Sequence, residues 1–169
     1  MKTIILTLGL IATVCVCKAQ APADVLNSFA ALYPDTHVKS WAQQGVDLWV
    51  VTFKDKDDKT KDMAYFKKNG TWVKTETKIP IVGDLPNTVA KSWKRTDYSD
   101  WMVADIKEVK YPGKVLFVMN VEDGCETNVY AMPVCQESYN LYFTRSGELL
   151  KQTLAKNDDF DYASGMDFR

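Results

Sequence analysis

Apolar residues recur at helical spacing in two places. Val25, Phe29 and Leu32 form one stripe within Pro22 to Tyr33, and Val89 and Trp93 form a shorter one within Leu85 to about Thr96. Pro22 suits the first turn of the first helix. Pro34 ends it, because the residue before a proline is pushed out of the α region. Asp84 is placed to cap the second helix. Elsewhere the pattern alternates and predicts strands. Val38–Gln43, Val46–Lys54, Lys61–Lys68 and Thr71–Lys78 follow the first helix. Trp101–Lys110, Lys114–Glu122, Glu137–Thr144 and Glu148–Leu154 follow the second.

Two of the predicted hairpins repeat one pattern in register. Tyr65-Phe66-Lys67-Lys68-Asn69-Gly70-Thr71-Trp72-Val73-Lys74 corresponds to Tyr142-Phe143-Thr144-Arg145-Ser146-Gly147-Glu148-Leu149-Leu150-Lys151. Asn69-Gly70 and Ser146-Gly147 supply the positive φ of a tight turn. Upstream, Pro22, Val25, Ser28 and Phe29 match Pro86, Val89, Ser92 and Trp93 at one constant offset. The pattern predicts an α+β fold made by tandem duplication. Each unit is a helix plus a four-stranded antiparallel sheet, with the helices packed on one sheet face. The units are expected at 20–82 and 83–155, joined near Pro80–Asp84. Asp123–Gln136 is an insertion in the second unit, and 156–169 is an acidic tail carrying Asp158, Asp159, Phe160, Asp161 and Tyr162.

Several strands are apolar on both sides. Within Val46–Lys54, Leu48 and Val50 point one way and Trp49, Val51 and Phe53 the other. One face packs on the helices, and the opposite face either meets the other unit or stays open. Trp49, Phe53, Trp72 and Trp101 are therefore candidates for an aromatic binding surface, since large exposed apolar patches mark interaction sites. The competing reading makes them core or edge residues.

Composition narrows the choices. Lys+Arg (21) and Asp+Glu (22) nearly cancel, which offers nothing to nucleic acid. The stretch 1–19 reads as a signal peptide. Lys2 is followed by an apolar run from Ile4 to Val16, too short to span a membrane, and Cys17-Lys18-Ala19 places small residues for cleavage after Ala19. No membrane span is expected after its removal. The mature chain then keeps Cys125 and Cys135, which in an oxidising compartment most simply form one disulfide.

Catalytic chemistry is thin. His37 is the one histidine, no Gly-x-Ser-x-Gly elbow accompanies it, and there is no phosphate loop or dinucleotide fingerprint. No cofactor is expected. Calcium is a weaker alternative, with Asp55, Asp57, Asp58 and Asp62 as oxygen ligands in a hairpin loop. An EF-hand counted from Asp55 would need Gly and Glu where Thr60 and Phe66 stand.

The run Pro22-Ala23-Asp24-Val25-Leu26-Asn27-Ser28-Phe29, then Tyr33-Pro34 and Trp41, resembles the opening of secreted bacterial domains called beta-lactamase-inhibitor-like, or PepSY-like. Phe66-Lys67-Lys68-Asn69-Gly70-Thr71-Trp72 with Glu76 is similar to that family's closing hairpin. Leu85-Pro86, Val89, Trp93 and Phe143 to Leu150 match more loosely, and the Cys125–Cys135 insertion departs from the pattern. The resemblance implies helices on an antiparallel sheet and a periplasmic or cell-envelope location, and it carries over no catalytic residue. The expectation is a non-enzymatic binding protein whose partner is another envelope protein, as inhibitor or modulator. The alternative is a calcium-responsive or structural envelope module.

Overall fold

Alternation of apolar and polar side chains carries most of the chain into strands, and two short segments escape it. The computed structural model describes residues 20–54, 60–124, 126–127, 133–134 and 137–155. Helix α1 spans Ala23–Leu32, with Val25 and Phe29 buried one turn apart. It stops where Pro34 forces Tyr33 to φ −133°, and the Tyr33 amide closes the last turn on the Phe29 carbonyl at 2.8 Å. Strands β1 (His37–Gln44), β2 (Leu48–Lys54), β3 (Asp62–Lys67) and β4 (Trp72–Lys78) follow.

The second helix is shorter than the sequence predicts. Asp84 falls in a 3-10 turn over Val82–Asp84, and α2 begins after Pro86 and spans Asn87–Trp93. Beyond Trp93, the amide and the hydroxyl of Thr96 both donate to the Trp93 carbonyl, at 2.9 and 2.7 Å, and end the helix. Then come β5 (Met102–Tyr111), β6 (Lys114–Asp123), a small pair β7 (Glu126–Thr127) and β8 (Pro133–Val134), and finally β9 (Glu137–Thr144) and β10 (Leu149–Leu154).

The expected tandem of two helix-plus-four-strand units, with helices layered on one sheet face, is corrected by the topology. There is one continuous eight-stranded antiparallel sheet in the order β1-β2-β3-β4-β5-β6-β9-β10, with β7-β8 as a separate two-stranded sheet. The described chain is mostly sheet, with α-helices of only 10 and 7 residues. The reason lies at the seam. Thr75, Glu76, Thr77 and Lys78 of β4 pair with Lys110, Val109, Glu108 and Lys107 of β5, so neither half presents a free edge there.

Two apolar clusters line this sheet. Val25 and Phe29 join Trp49, Val51, Phe53, Ala64 and Phe66. Phe29 is the hub, with ring centroids 5.1 Å from Phe53, 5.4 Å from Trp41 and 6.3 Å from Phe66. Burying such a ring contributes about 1.5–3 kcal/mol, and each aromatic pair adds roughly 0.5–1.5 kcal/mol. Leu85, Val89 and Trp93 join Ile106, Phe117, Met119, Val121, Leu141 and Phe143 in the second cluster.

The turn glycines fix how close each helix lies to a hairpin. Gly70 has φ +81°, and a Cβ there would sit 2.7 Å from the Asp24 carbonyl oxygen and from Ser28 Oγ. Gly147 has φ +92°, and its Cβ would sit 2.5 Å from the Thr88 carbonyl oxygen and 2.8 Å from Ser92 Oγ. Both positions need glycine for backbone shape and for space.

Candidate functional site

The strand registers sort side chains onto two faces of the sheet. Trp49, Val51, Phe53, Ala64 and Phe66 turn toward Phe29, and Ile106, Phe117, Met119, Leu141 and Phe143 turn toward Trp93. The partners one position along each strand form the other face. It carries three cross-strand tyrosine–lysine pairs, Tyr65↔Lys74, Tyr111↔Lys114 and Tyr142↔Lys151. In each pair the ammonium lies over the ring, at 4.5, 5.2 and 4.3 Å from its centroid respectively. Cation–π attraction of this kind contributes about 0.5–1 kcal/mol where exposed and more where desolvated.

Between these pairs runs an ionic cluster. Lys74 is bonded to Glu76, and both are buried. Lys107 Nζ lies 3.7 Å from Glu76 Oε2 and 3.5 Å from Asp105 Oδ2, and Lys78 Nζ lies 3.1 Å from Asp105 Oδ1. The Tyr65 phenol is held well above its ordinary range, first by burial and then by the Glu76 carboxylate to which it hydrogen-bonds. It therefore stays neutral. Lys114 is pushed below its ordinary range by burial and by the charge of Lys151. Val109 and Leu116 are each only 3% exposed, although they face away from both aromatic clusters. At one end Asn120 Nδ2 donates to Asn140 Oδ1 at 3.0 Å and to Ser138 Oγ at 3.2 Å.

The residues singled out from sequence fall elsewhere. Trp49 (5% exposed) and Phe53 (1%) are core, because their register points them at Phe29. Trp72 packs against the same cluster and donates its indole N–H to Thr75 Oγ1 at 2.9 Å. Trp101 packs against the second cluster, with ring centroids 5.0 Å from Tyr98 and 5.8 Å from Tyr139. The four do not share an open aromatic surface, and that expectation is corrected. Asp62 opens β3 opposite Phe53 and Thr77. Asp55, Asp57 and Asp58 lie outside the described residues, as do Cys125, Cys135, the segment 1–19 and the tail 156–169. Among the described residues no group of three His, Cys, Asp or Glu side chains is arranged to hold a metal. His37 is exposed on β1 opposite Lys54.

A shallow groove beside the 3-10 turn is lined by Ile79, Pro80, Ile81, Val82, Val103 and Ile106. Its charged members, Lys78 and Asp105, already pair with each other. No helix among the described residues is long and apolar enough to cross a membrane.

Sequence pattern alone does not single out the three Tyr–Lys pairs, although two of them bracket the hairpins of matching sequence, Tyr65 to Lys74 and Tyr142 to Lys151. The missing signal was the register, which sets the first and last residues of each hairpin side by side.

Among solved structures, the fold matches a BLIP-like protein of Bacteroides fragilis at 26% identity and TM-score 0.68, covering 83% of this chain and 91% of that chain. A DUF2874 family protein of Bacteroides ovatus matches at 24% identity and TM-score 0.68, covering 82% and 90% respectively. A candidate periplasmic protein of Bacteroides eggerthii matches at 22% identity and TM-score 0.63, covering 80% and 89%. No curated protein matches the sequence significantly. The profile of the beta-lactamase-inhibitor-like, PepSY-like family aligns with residues 47–151, well over half of the 169 residues, from β2 into the first half of β10. The chain belongs to the PepSY-like, beta-lactamase-inhibitor-like family.

Proposed function

We propose that this chain is a non-enzymatic, secreted or periplasmic binding protein that engages another envelope protein, as inhibitor or modulator, through its tyrosine–lysine face. The observation that carries the reading is the row of three stacked Tyr–Lys pairs flanking the Lys74–Glu76–Lys107–Asp105–Lys78 cluster. Half-buried Tyr111 and Tyr142, stiffened by Lys114 and Lys151, offer contact area at little cost in rotamer entropy, while the buried Tyr65–Lys74 pair braces the sheet beside them, and aromatic side chains are enriched in binding hot spots. Membership of a family described as beta-lactamase-inhibitor-like supports a protein partner. A candidate periplasmic protein of the same fold supports the compartment.

The test is capture from envelope extract by three forms of the chain: wild type, Lys107→Glu with Lys151→Glu on the face, and Lys94→Glu with Arg95→Glu just past α2. The reading expects one partner to be retained by wild type and by the α2 variant. It should be held at least about tenfold more weakly by the face variant, the fold-change of one or two lost charged contacts at an interface. Equal capture by all three forms overturns it.

A further inference from the structure

We propose that the helix side of the sheet carries a second docking site, for an extended segment of a partner protein that presents an arginine four residues from an aliphatic side chain. This surface is separate from the tyrosine–lysine face and does not depend on the binding reading above. Its first half is an aromatic triad. Tyr98, Trp101 and Tyr139 are all half-buried, with ring centroids 5.0 Å apart for Tyr98–Trp101, 5.7 Å for Tyr98–Tyr139 and 5.8 Å for Trp101–Tyr139. The turn after α2 builds it. The Trp101 amide donates to the Tyr98 carbonyl at 3.1 Å, and the Tyr98 hydroxyl donates to Gln152 Oε1 of β10 at 2.8 Å. The rings are thus held before any ligand arrives, which lowers the entropy cost of binding. Elsewhere in the chain lysines stack on Tyr65, Tyr111 and Tyr142, whereas among the described residues none lies over the three rings of the triad.

Charge selects the ligand. Asp97, Asp100 and Glu137 are exposed and adjoin the triad residues in sequence. The Tyr98 phenol is held above its ordinary range, first by burial, then by Tyr139, and further by the Asp97 and Glu137 carboxylates, which places both near its ring. The segments that build this end of the sheet, 94–104, 120–124 and 137–139, hold Asp97, Asp100, Glu122, Asp123 and Glu137 against Lys94 and Arg95, although the whole chain is nearly neutral. An arginine suits both features. Its guanidinium stacks on an aromatic face while its N–H fork binds carboxylates.

The second half is the groove at the β4–β5 seam, which encloses about 390 Å³ between Ile79, Ile81, Val82, Val103 and Ile106. Ile81 is 61% exposed at its rim. The Ile79 amide donates to the Ile106 carbonyl at 2.8 Å and fixes one wall, and a bulge between Val103 and Asp105 bends the other. Register connects the two halves. Val103, Val121, Tyr139 and Leu154 stand opposite one another in turn across β5, β6, β9 and β10. From the groove, between β4 and β5, to Tyr139 is two and a half inter-strand steps of about 4.8 Å, or about 12 Å in all. An extended strand returns its side chains to the same side about every 6.7 Å, so residues four apart span about 13 Å. An aliphatic side chain in the groove therefore sets an arginine four positions away at the triad.

The probe is a peptide of leucine, three serines and arginine, blocked at both ends. It is titrated into the full chain labelled with nitrogen-15 and followed by NMR. Docking predicts saturable shifts of the Trp101 indole N–H and the Val103 amide, while the Trp72 indole beside the first cluster does not move. Replacing the peptide's arginine by the neutral isostere citrulline should weaken binding at least about tenfold, the effect of losing a charged contact. Replacing its leucine by serine should weaken binding by about tenfold or more, from the apolar burial lost. The exposed pair Asp97→Asn with Glu137→Gln should bind the arginine peptide as weakly as wild type binds the citrulline peptide. Equal affinity for the arginine and citrulline peptides overturns the proposal, as does the absence of any saturable shift. Binding that needs the arginine but not the leucine would assign the triad to a free cation and overturns it as well. Shifts confined to Lys107, Tyr142 and Lys151 would move the peptide to the opposite face, so the two surfaces are judged separately.

Discussion

Replacing Gly147 by alanine tests whether a hairpin turn is clamped against a helix or merely shaped by its own backbone. Two penalties combine. At φ +92° an L side chain is strained by about 1–2 kcal/mol. The new Cβ would also sit 2.5 Å from the Thr88 carbonyl oxygen and 2.9 Å from its carbonyl carbon. Those are backbone atoms of α2 and cannot rotate aside. The helix must shift, and overpacking of this kind typically costs about 1–3 kcal/mol. The loss of glycine freedom in the unfolded chain returns about 0.4–1 kcal/mol. The net expectation is a destabilisation of about 1–4.5 kcal/mol, centred near 3. Gly113 is the internal control, because it has φ +79° and nothing within 4 Å of its would-be Cβ. Gly113→Ala should therefore cost only about 1 kcal/mol, from strain less the entropy returned. Equilibrium unfolding in urea, with a shared slope across the variants, reads both numbers. If Gly147→Ala falls within about 0.5 kcal/mol of Gly113→Ala, near the limit of such comparisons, the clamp does not exist.

Further expectations can be checked directly. Because the Tyr65 phenol is raised, the folded state holds its proton after the unfolded state has lost it. Stability from this group is complete below pH 10 and falls above it, by at most about 1.4 kcal/mol per pH unit. Alkaline unfolding should be milder in Tyr65→Phe, and an identical pH profile would count against the assignment. The buried indole N–H of Trp93 has no hydrogen-bond acceptor among the described residues. Trp93→Phe should therefore stay within about 1 kcal/mol of wild type, since an orphaned donor is lost along with some volume. Trp93→Ala should cost about 3–5 kcal/mol by thermal or urea unfolding, and a Phe variant as poor as the Ala variant would argue for a hidden acceptor. Cys125 and Cys135 are the two cysteines left to a chain cleaved after Ala19, and their pairing is open to a direct measurement. Protein from an oxidising compartment should show an intact mass lower by two hydrogens and no free thiol at Cys125 or Cys135, and two titratable thiols would dismiss the bond.

Local chemistry made the elements legible, and distance in sequence hid their assembly. Pro34 and the Val25–Phe29 spacing mark α1 without any tertiary information. The four-residue pairing of Thr75–Lys78 with Lys107–Lys110 has no such signature, since all are polar or charged apart from Val109, and polar alternation reads equally well as a solvated edge. That seam is what turns an expected pair of small sheets into one. Alternation also says that Trp49 and Val50 face opposite ways but not which side Phe29 will occupy. The large aromatics drew attention as a surface for that reason, whereas Phe29 gathers them into its own cluster. Lysines at the ends of hairpins carry no local signal of what they pair with. Their meaning depends on cross-strand neighbours, which only the register supplies.

The order of strands in the large sheet follows their order in the chain, interrupted only by the β7–β8 excursion. Each strand after β1 in this sheet thus pairs with the sheet strand that precedes it in the chain. The first aromatic cluster is complete in sequence before β5 begins, and β5 then adds to the waiting edge of β4. Mostly sequence-adjacent pairing lowers contact order, and folding rates rise as contact order falls. A sheet ordered in this way can grow strand by strand from its β1 side, so the edge left open by one strand is the one the next strand covers.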